Sequence, residues 1–465
     1  MLNTGFRMLS QNKAAAIFER IRKHSTADEV EVLFSGGKSA LTRFANNTIH
    51  QNVAEENYLV SVRTVFGGRT ARATTNKLDD ESLQRVVQSS ERLAKVQHPD
   101  PDLLPCGAGA PAREGPPSRH FAETAAVSPQ QRAETVKKIA SIAEKHELTT
   151  AGIVSSAESV EGVFNSRGLA NWHTQTSSEI SITMLAADSS GWQKANSPNV
   201  ANLDAVALAE TAARKAVESA RPREIPSGKY TVILEPAAVL DIVGFMFFDF
   251  GGLSILDQRS FLNNRVGARL FGENVNIWDD AAHPLQSGAP FDGEGVRRQK
   301  VHMVENGVVK RLVYARASAE KMERSEHKNK VGPIEPTGHG FPLPNEMGEA
   351  PMNIVFGTTP KPISVEQMIA STGRGVLVTR LWYIREVDPY EKILTGMTRD
   401  GTFYVEDGKI RHGVRNFRFN QSLIQMLSSV EAMGTPVRAS GEESFDMVVP
   451  AMKVMDFNFT EVTKF

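Results

Sequence analysis

The chain has 465 residues, 53 of them Lys or Arg and 54 Asp or Glu, which allows two or three domains and leaves almost no net charge. A duplex-binding domain ordinarily carries a basic excess to displace counterions, so no direct nucleic-acid partner is expected. The single cysteine, Cys106, excludes an internal disulfide and any multi-cysteine metal site, which suits a reducing compartment.

The first residues, MLNTGFRMLSQNKAAAIFERIRKH, lack the apolar run and cleavage site of a secretory signal. Ala14, Ile17, Phe18 and Ile21 recur at helical spacing and predict a first amphipathic helix. Strand-like runs follow at 30–34, 41–46, 58–65 and 69–75, with Gly36-Gly37 and Gly67-Gly68 read as turns. A helix over 79–95 is expected to bury Leu83, Val86, Val87, Leu93 and Ala94. Residues 99–117, rich in Pro, Gly and Ala, read as a linker, and Cys106 within it as an exposed thiol.

The pattern then repeats. Ser128-Pro129-Gln130-Gln131 is a capping-box helix start, with Ala133, Val136, Ala140 and Ala143 on the buried face. Strands are predicted at 149–155, 162–165, 177–187 and 192–195. A closing helix capped by Asn202 should bury Val206, Ala209, Ala213 and Val217. Helix, antiparallel meander, helix, twice over, predicts an α+β domain over 1–225.

A β-rich domain with one buried helix is expected over 226–465. Lys229 to Leu234 reads as a strand, and Pro236 opens a helix, 237–249, that is apolar nearly all round. Asp241 interrupts its apolar run, which falls short of the roughly 20 residues that cross a bilayer. No membrane association and a cytoplasmic location are expected. A carboxylate on such a helix must be paired or protonated if buried. Asn306-Gly307 is a hairpin turn, Ser364 and Gln367 form another capping box, and Leu423, Leu427 and Val430 suggest a short helix ending at Gly434. Residues 448–457 close the chain as a strand.

The stretch 379–420 stands out. It reads as a β-meander with turns at Asp400-Gly401 and Asp407-Gly408. Arg380, Tyr383, Arg385, Arg399 and Asp400 crowd it beside Trp382 and Met397. Guanidinium forks and phenols next to apolar groups suit the backbone and carboxylate of a peptide, whereas ion pairs on a sheet surface explain the same residues without a ligand. No nucleophile elbow, P-loop or dinucleotide fingerprint is present, and the eleven histidines show no shared metal-site spacing. His283, His302, His327, His339 and His412 in the second half remain candidates to converge in space.

These residues carry a resemblance. VEVLFSGGKSALTRFANNTI, YTVILEP, SFLNNRVGARLF from Ser260, FDGEGVRRQKVHMVENGVVKRLVYARASAEK from Phe291, and ILTGMTRDGTFYVEDGKI occur in one order along nearly the whole chain. Together they resemble the TldD/PmbA family, named in part as modulators of DNA gyrase and as microcin-maturing peptidases. The resemblance implies two branches that pair. The TldD branch looks like a metallopeptidase, with a His-Glu-x-x-x-His helix after the boundary strand and a late Cys as a further zinc ligand. Here the corresponding window, 244–249, reads GFMFFD, and the late segment reads Ala439-Ser440-Gly441-Glu442. Zinc lowers the pKa of bound water from about 15.7 to about 7, on the order of 12 kcal/mol, and no side-chain set identified here replaces that.

By this resemblance the chain is PmbA (TldE)-like. It is expected to be the metal-free, non-catalytic subunit of a heterodimeric peptidase acting on unfolded peptides, without a cofactor of its own. Zinc is expected on a TldD-like partner. Two alternatives stay open: an independent metal-free hydrolase using the Arg/Tyr/Asp cluster at 380–400, and a regulatory binding protein acting on gyrase or nucleic acid.

Overall fold

The computed structural model describes residues 8–109 and 118–463. Ser10 caps the first helix, α1 (Gln11–His24), by accepting from the Lys13 N–H, and Ala14, Ile17, Phe18 and Ile21 form its buried stripe as predicted. Three antiparallel strands follow, β1 (Glu29–Ala45), β2 (Thr48–Phe66) and β3 (Arg69–Thr75), and then α2 (Asp80–Val96) with Asp79 at its N-cap. A short α3 (Ala122–Ala125) precedes α4 (Pro129–Lys145), where both halves of the Ser128/Gln131 capping box are made. The strands β4 (Thr149–Asn165), β5 (Ala170–Leu185) and β6 (Ser190–Ser197) lead to α5 (Ala205–Glu218).

The two copies share one six-stranded sheet, β3-β2-β1-β4-β5-β6. Val32 and Phe34 of β1 pack under α1 and α2, and Phe44 and Val154 under α4 and α5. Leu33 and Val163, one residue out of phase, face Ala289 and Phe291 of the second half. The helices therefore cover one face, and the second half of the chain covers part of the other.

Several local readings are corrected. Gly36-Gly37 is no turn; β1 runs straight through it, with φ of 119° and 154°. A Cβ at Gly36 would sit 2.1 Å from the Asn57 carbonyl oxygen, and one at Gly37 2.0 Å from that of Glu158, so glycine is required by the close approach of both neighbouring strands. Leu93, Val206 and Val217 are exposed, because the stripes facing the sheet are narrower than the apolar sets. Asp204, not Asn202, caps α5. Cys106 is buried rather than exposed: its thiol accepts from Arg63 Nη2 at 3.1 Å, and Arg63 also pairs with Glu31 at 3.0 Å. Burial pushes this thiol up to about 12.

In the second half, β7 (Gly228–Leu234) runs into α6 (Pro236–Val243), a 3₁₀ turn over 244–250 and α7 (Gly252–Leu256). Short strands β8 (Ile277–Asp279), β9 (Val301–Glu305) and β10 (Val308–Val309) follow, the last two joined at Asn306-Gly307 as predicted. Next come α8 (Arg316–Glu323), β11 (Ile354–Phe356) and α9 (Val365–Ala370), which has the Ser364/Gln367 box. The meander is β12 (Arg374–Asp388), β13 (Ile393–Glu406), β14 (Lys409–Gly413) and β15 (Phe417–Ser422). A helix α10 (Leu423–Ser428) stops well before Gly434, because β16 (Val430–Met433) begins there. The chain ends with β17 (Val437–Ala439), β18 (Met447–Val449) and β19 (Met452–Val462).

Strands β12, β7, β19, β15 and β13 pair in that order, and β12 also pairs β13, so the ladder closes on itself. Val232 and Leu234 of β7 point to one core with α6, whereas Ile233 points to the other side against Met368 of α9. Asp407-Gly408 is the hairpin turn predicted. Asp400-Gly401 is not: it lies inside β13 at positive φ, opposite a slip in the β12 register.

Candidate functional site

Helix α6 is where the apolar pattern and the polar oddity meet. Pro236 sits in its first turn, and every residue from Ala238 to Val243 is buried, Asp241 included. The Leu381 N–H of β12 donates to Asp241 Oδ2 at 3.2 Å. The N–H groups of Glu442 and Glu443 donate to Oδ1, each at 3.2 Å. One carboxylate therefore ties α6, β12 and the loop after β17. Burial pushes its pKa up to about 7, against the opposing pull of these three N–H groups. A Cβ at Gly441 would lie 2.3 Å from Asp241 Oδ1, so only glycine lets the loop come this close.

The loop is held at three residues, Glu443, Gly441 and Asp446, by β12 and β6. Glu443 accepts from the N–H groups of Tyr383 and Ile384 at 2.8 and 3.2 Å. Lys194 of β6 donates to the Gly441 carbonyl at 3.2 Å, and Asn196 to Asp446 at 2.7 Å. These contacts from the first half of the chain were not anticipated from sequence, because nothing local marks Lys194 or Asn196 as partners of residues some 250 positions away.

The 3₁₀ turn beyond α6 is a packing element. Phe247 is fully buried against Phe250 and Phe445, Phe245 is half-buried, and Phe248 is 42% exposed, lying nearly parallel to Phe341. Asp249 is buried and pairs with Lys392 at 2.6 Å, and Lys392 also reaches Glu386 at 2.6 Å. Burial raises Asp249, and the Lys392 charge opposes it.

The five residues singled out in the meander separate into two groups. Arg380 and Asp400 are buried together, with Arg380 Nε 2.8 Å from Asp400 Oδ2, and Ser190 donates to Asp400 Oδ1 at 2.6 Å. The Arg380 guanidinium lies between the rings of Trp192 and Trp382, at 4.7 and 5.5 Å, and Arg399 stacks on Trp382 at 4.7 Å. This ladder joins β6 to β12 and β13. Arg399 is 44% exposed, and Tyr383 51% exposed. Arg385 is exposed too, its guanidinium 4.4 Å above the Tyr383 ring. Arg399, Tyr383 and Arg385 thus remain accessible to a ligand. A cleft of about 510 Å³ opens beside the ladder, and of the five residues Asp400 alone lines it, with Ser190, Gly401 and Arg415.

The histidines of the second half take separate places. His339 Nε2 lies 3.0 Å from the buried Asp279, His302 packs on Trp278, and His412 stacks on Tyr404. Among the described residues no three or more His, Cys, Asp or Glu side chains form a group that could hold a metal ion. Among the described residues no helix is long and apolar enough to cross a membrane.

This arrangement, a two-faced α+β sheet docked on a closed β-rich unit around one buried helix, defines a fold shared along the full length of known proteins. A solved TldE from Thermococcus kodakarensis superposes with a TM-score of 0.84 over 97% of this chain and 100% of that one, at 19% identity. "Metalloprotease PmbA" of Escherichia coli O157:H7 is 21% identical over 468 residues, covering 96% of each chain. A "Metalloprotease" of Methanothermobacter thermautotrophicus is 24% identical over 81% of each. Family models match residues 30–94 as PmbA/TldA metallopeptidase domain 1, 123–220 as the central domain and 227–461 as the C-terminal domain. The chain belongs to the PmbA/TldA metallopeptidase family, and within it is PmbA/TldE-like.

The family name implies a metal, and the residues here do not fit one. The α6 segment and the loop at 439–443 do come together, but the carboxylates there are engaged elsewhere: Asp241 by three N–H groups, Glu443 by the N–H groups of Tyr383 and Ile384, and Glu442 by Lys194. Beyond them lie Met246, Phe247 and Phe250, all buried and apolar. A zinc site needs three or four N, S or O donors at about 2.0–2.3 Å converging on one point, and among the described residues these separately engaged carboxylates form no such group.

Proposed function

We propose that this chain is the metal-free subunit of a TldD/PmbA-type heterodimeric peptidase. It completes a peptide chamber in the cytoplasm while a TldD-like partner carries zinc and the catalytic base. The observation that carries this reading is Asp241. Where the metal-binding branch would bring ligands from the helix and the late loop together, this chain ties the same two segments with a carboxylate and backbone N–H groups. The tie keeps the wall of the chamber in shape without a metal.

In this reading Arg380 and Asp400 belong to the scaffold, since both are buried in each other and in the tryptophan ladder. Tyr383, Arg385 and Arg399 are the groups left to touch an unfolded peptide, by cation–π stacking and by hydrogen bonds to its carbonyl and carboxylate oxygens. The near-neutral charge gives duplex binding no support.

The test is reconstitution with a TldD-like chain carrying His-Glu-x-x-x-His. Zinc is expected only on that partner, and peptide hydrolysis only from the pair. Arg399→Ala is expected to leave the fold intact and slow hydrolysis by the pair. Stoichiometric zinc on the isolated chain would overturn the assignment. So would chelator-resistant hydrolysis by the chain alone that is lost in Arg399→Ala, which would favour an independent hydrolase.

A further inference from the structure

Strand β2 is 19 residues long, but β3 pairs only with its second part, Val60 to Phe66. On the other side β1 pairs with nearly all of it, from Thr48 to Val65. Among the described residues no strand lies on the outer edge of β2 from Thr48 to Leu59. That edge is about 40 Å long at roughly 3.3 Å per residue, and about every second residue points both its N–H and its C=O outward.

Long edges are normally blunted by Pro, Lys, a covering loop or short length. This one contains no Pro, Lys or Arg, and all its residues except Val53 and Tyr58 are exposed. Ile49 and Leu59 are exposed hydrophobic side chains on it. Its charge comes from the exposed Glu55 and Glu56. On the inner side, Glu56 faces Lys38 and Gln51 faces Arg43 across the ladder with β1. An unpaired row of backbone donors and acceptors is complementary to one kind of molecule, an extended polypeptide. Two glutamates in its second half, of which Glu55 faces Ser39 and no cation across the ladder, favour a basic one, and a copy of this chain paired antiparallel about Glu55 and Glu56 would set like charges opposite.

We propose that the outer edge of β2 between Thr48 and Leu59 is a docking strand for an extended basic peptide, which adds to the six-stranded sheet as a further strand. The proposal rests on the reading that the assembly takes unfolded peptides, and it names a second contact, outside the meander, by which they are held. The backbone pairing accepts any sequence without Pro at inward positions, and the glutamates set the charge preference.

The experiment follows backbone amide hydrogen exchange in the full chain with a peptide of Thr, Val and Lys matched to the edge in length. Two control peptides replace Lys by Glu, or methylate alternate backbone nitrogens. Protection is expected in 48–59 with the basic peptide, with binding about tenfold weaker for each control. The exposed double variant Glu55→Lys/Glu56→Lys should reverse the charge preference. Unchanged exchange over 48–59, no binding of the basic peptide, equal binding of the N-methylated peptide, or pairing of two chains through this edge would each overturn the proposal. Zinc content and hydrolysis by the reconstituted pair test the subunit reading separately. Loss of hydrolysis with protection of 48–59 intact would refute that reading and leave the docking strand standing.

Discussion

Replacing Asp241 by asparagine should change how stability depends on pH. The wild-type carboxyl is fully buried, and its pKa is raised from 3.8 to about 7. Between these two values the folded chain holds a proton on Asp241 that the unfolded chain has released. Stability from this group is therefore present in full below about pH 4, falls as pH rises, and is lost above about pH 7. At about 1.4 kcal/mol per unit, the loss over this window is on the order of 4 kcal/mol. Asp292 and Glu294 are buried carboxyls raised to about 6 and about 7, and they slope the same way. The wild-type profile alone therefore does not isolate Asp241, but the difference between wild type and Asp241→Asn cancels the shared contributions. Denaturant unfolding followed by tryptophan fluorescence at several pH values between about 4 and 8 is the assay. The variant should gain on the wild type by roughly 4 kcal/mol across that range. Parallel profiles would refute the burial argument.

Phe247→Ala removes a fully buried ring packed on Phe250 and Phe445 and should cost about 3–5 kcal/mol, read as a lower denaturation midpoint. Asp400→Asn leaves the buried Arg380 charge without its carboxylate and should cost about 3–5 kcal/mol. Arg380→Met/Asp400→Leu, which removes both charges, should lie closer to wild type in the same unfolding measurement. Cys106, buried and pushed up to about 12, should be inert to an aromatic disulfide reagent in the native chain and react only on unfolding; prompt native-state colour would contradict its placement.

What the sequence determined by itself is local or repeated. The Ser128 and Ser364 capping boxes, the Asn306-Gly307 turn and the α1 stripe each arise within a few residues, where backbone geometry and periodicity act directly. The family was equally legible, because several segments spread along the chain share one order with known proteins. The tertiary structure decided the meaning of the same signals wherever a distant segment intervened. Gly36-Gly37 and Asp400-Gly401 have the composition of turns, yet neighbouring strands carry both through a sheet. Arg380 and Asp400 look like exposed ligand groups, but Trp192 and Ser190 from β6 close over them. Asp241 was visible as an anomaly in an apolar helix, and its partners lie at Leu381, Glu442 and Glu443. Periodicity reports which face of an element is apolar; whether a charge on it is solvated, paired or protonated depends on which remote backbone N–H groups fold against it.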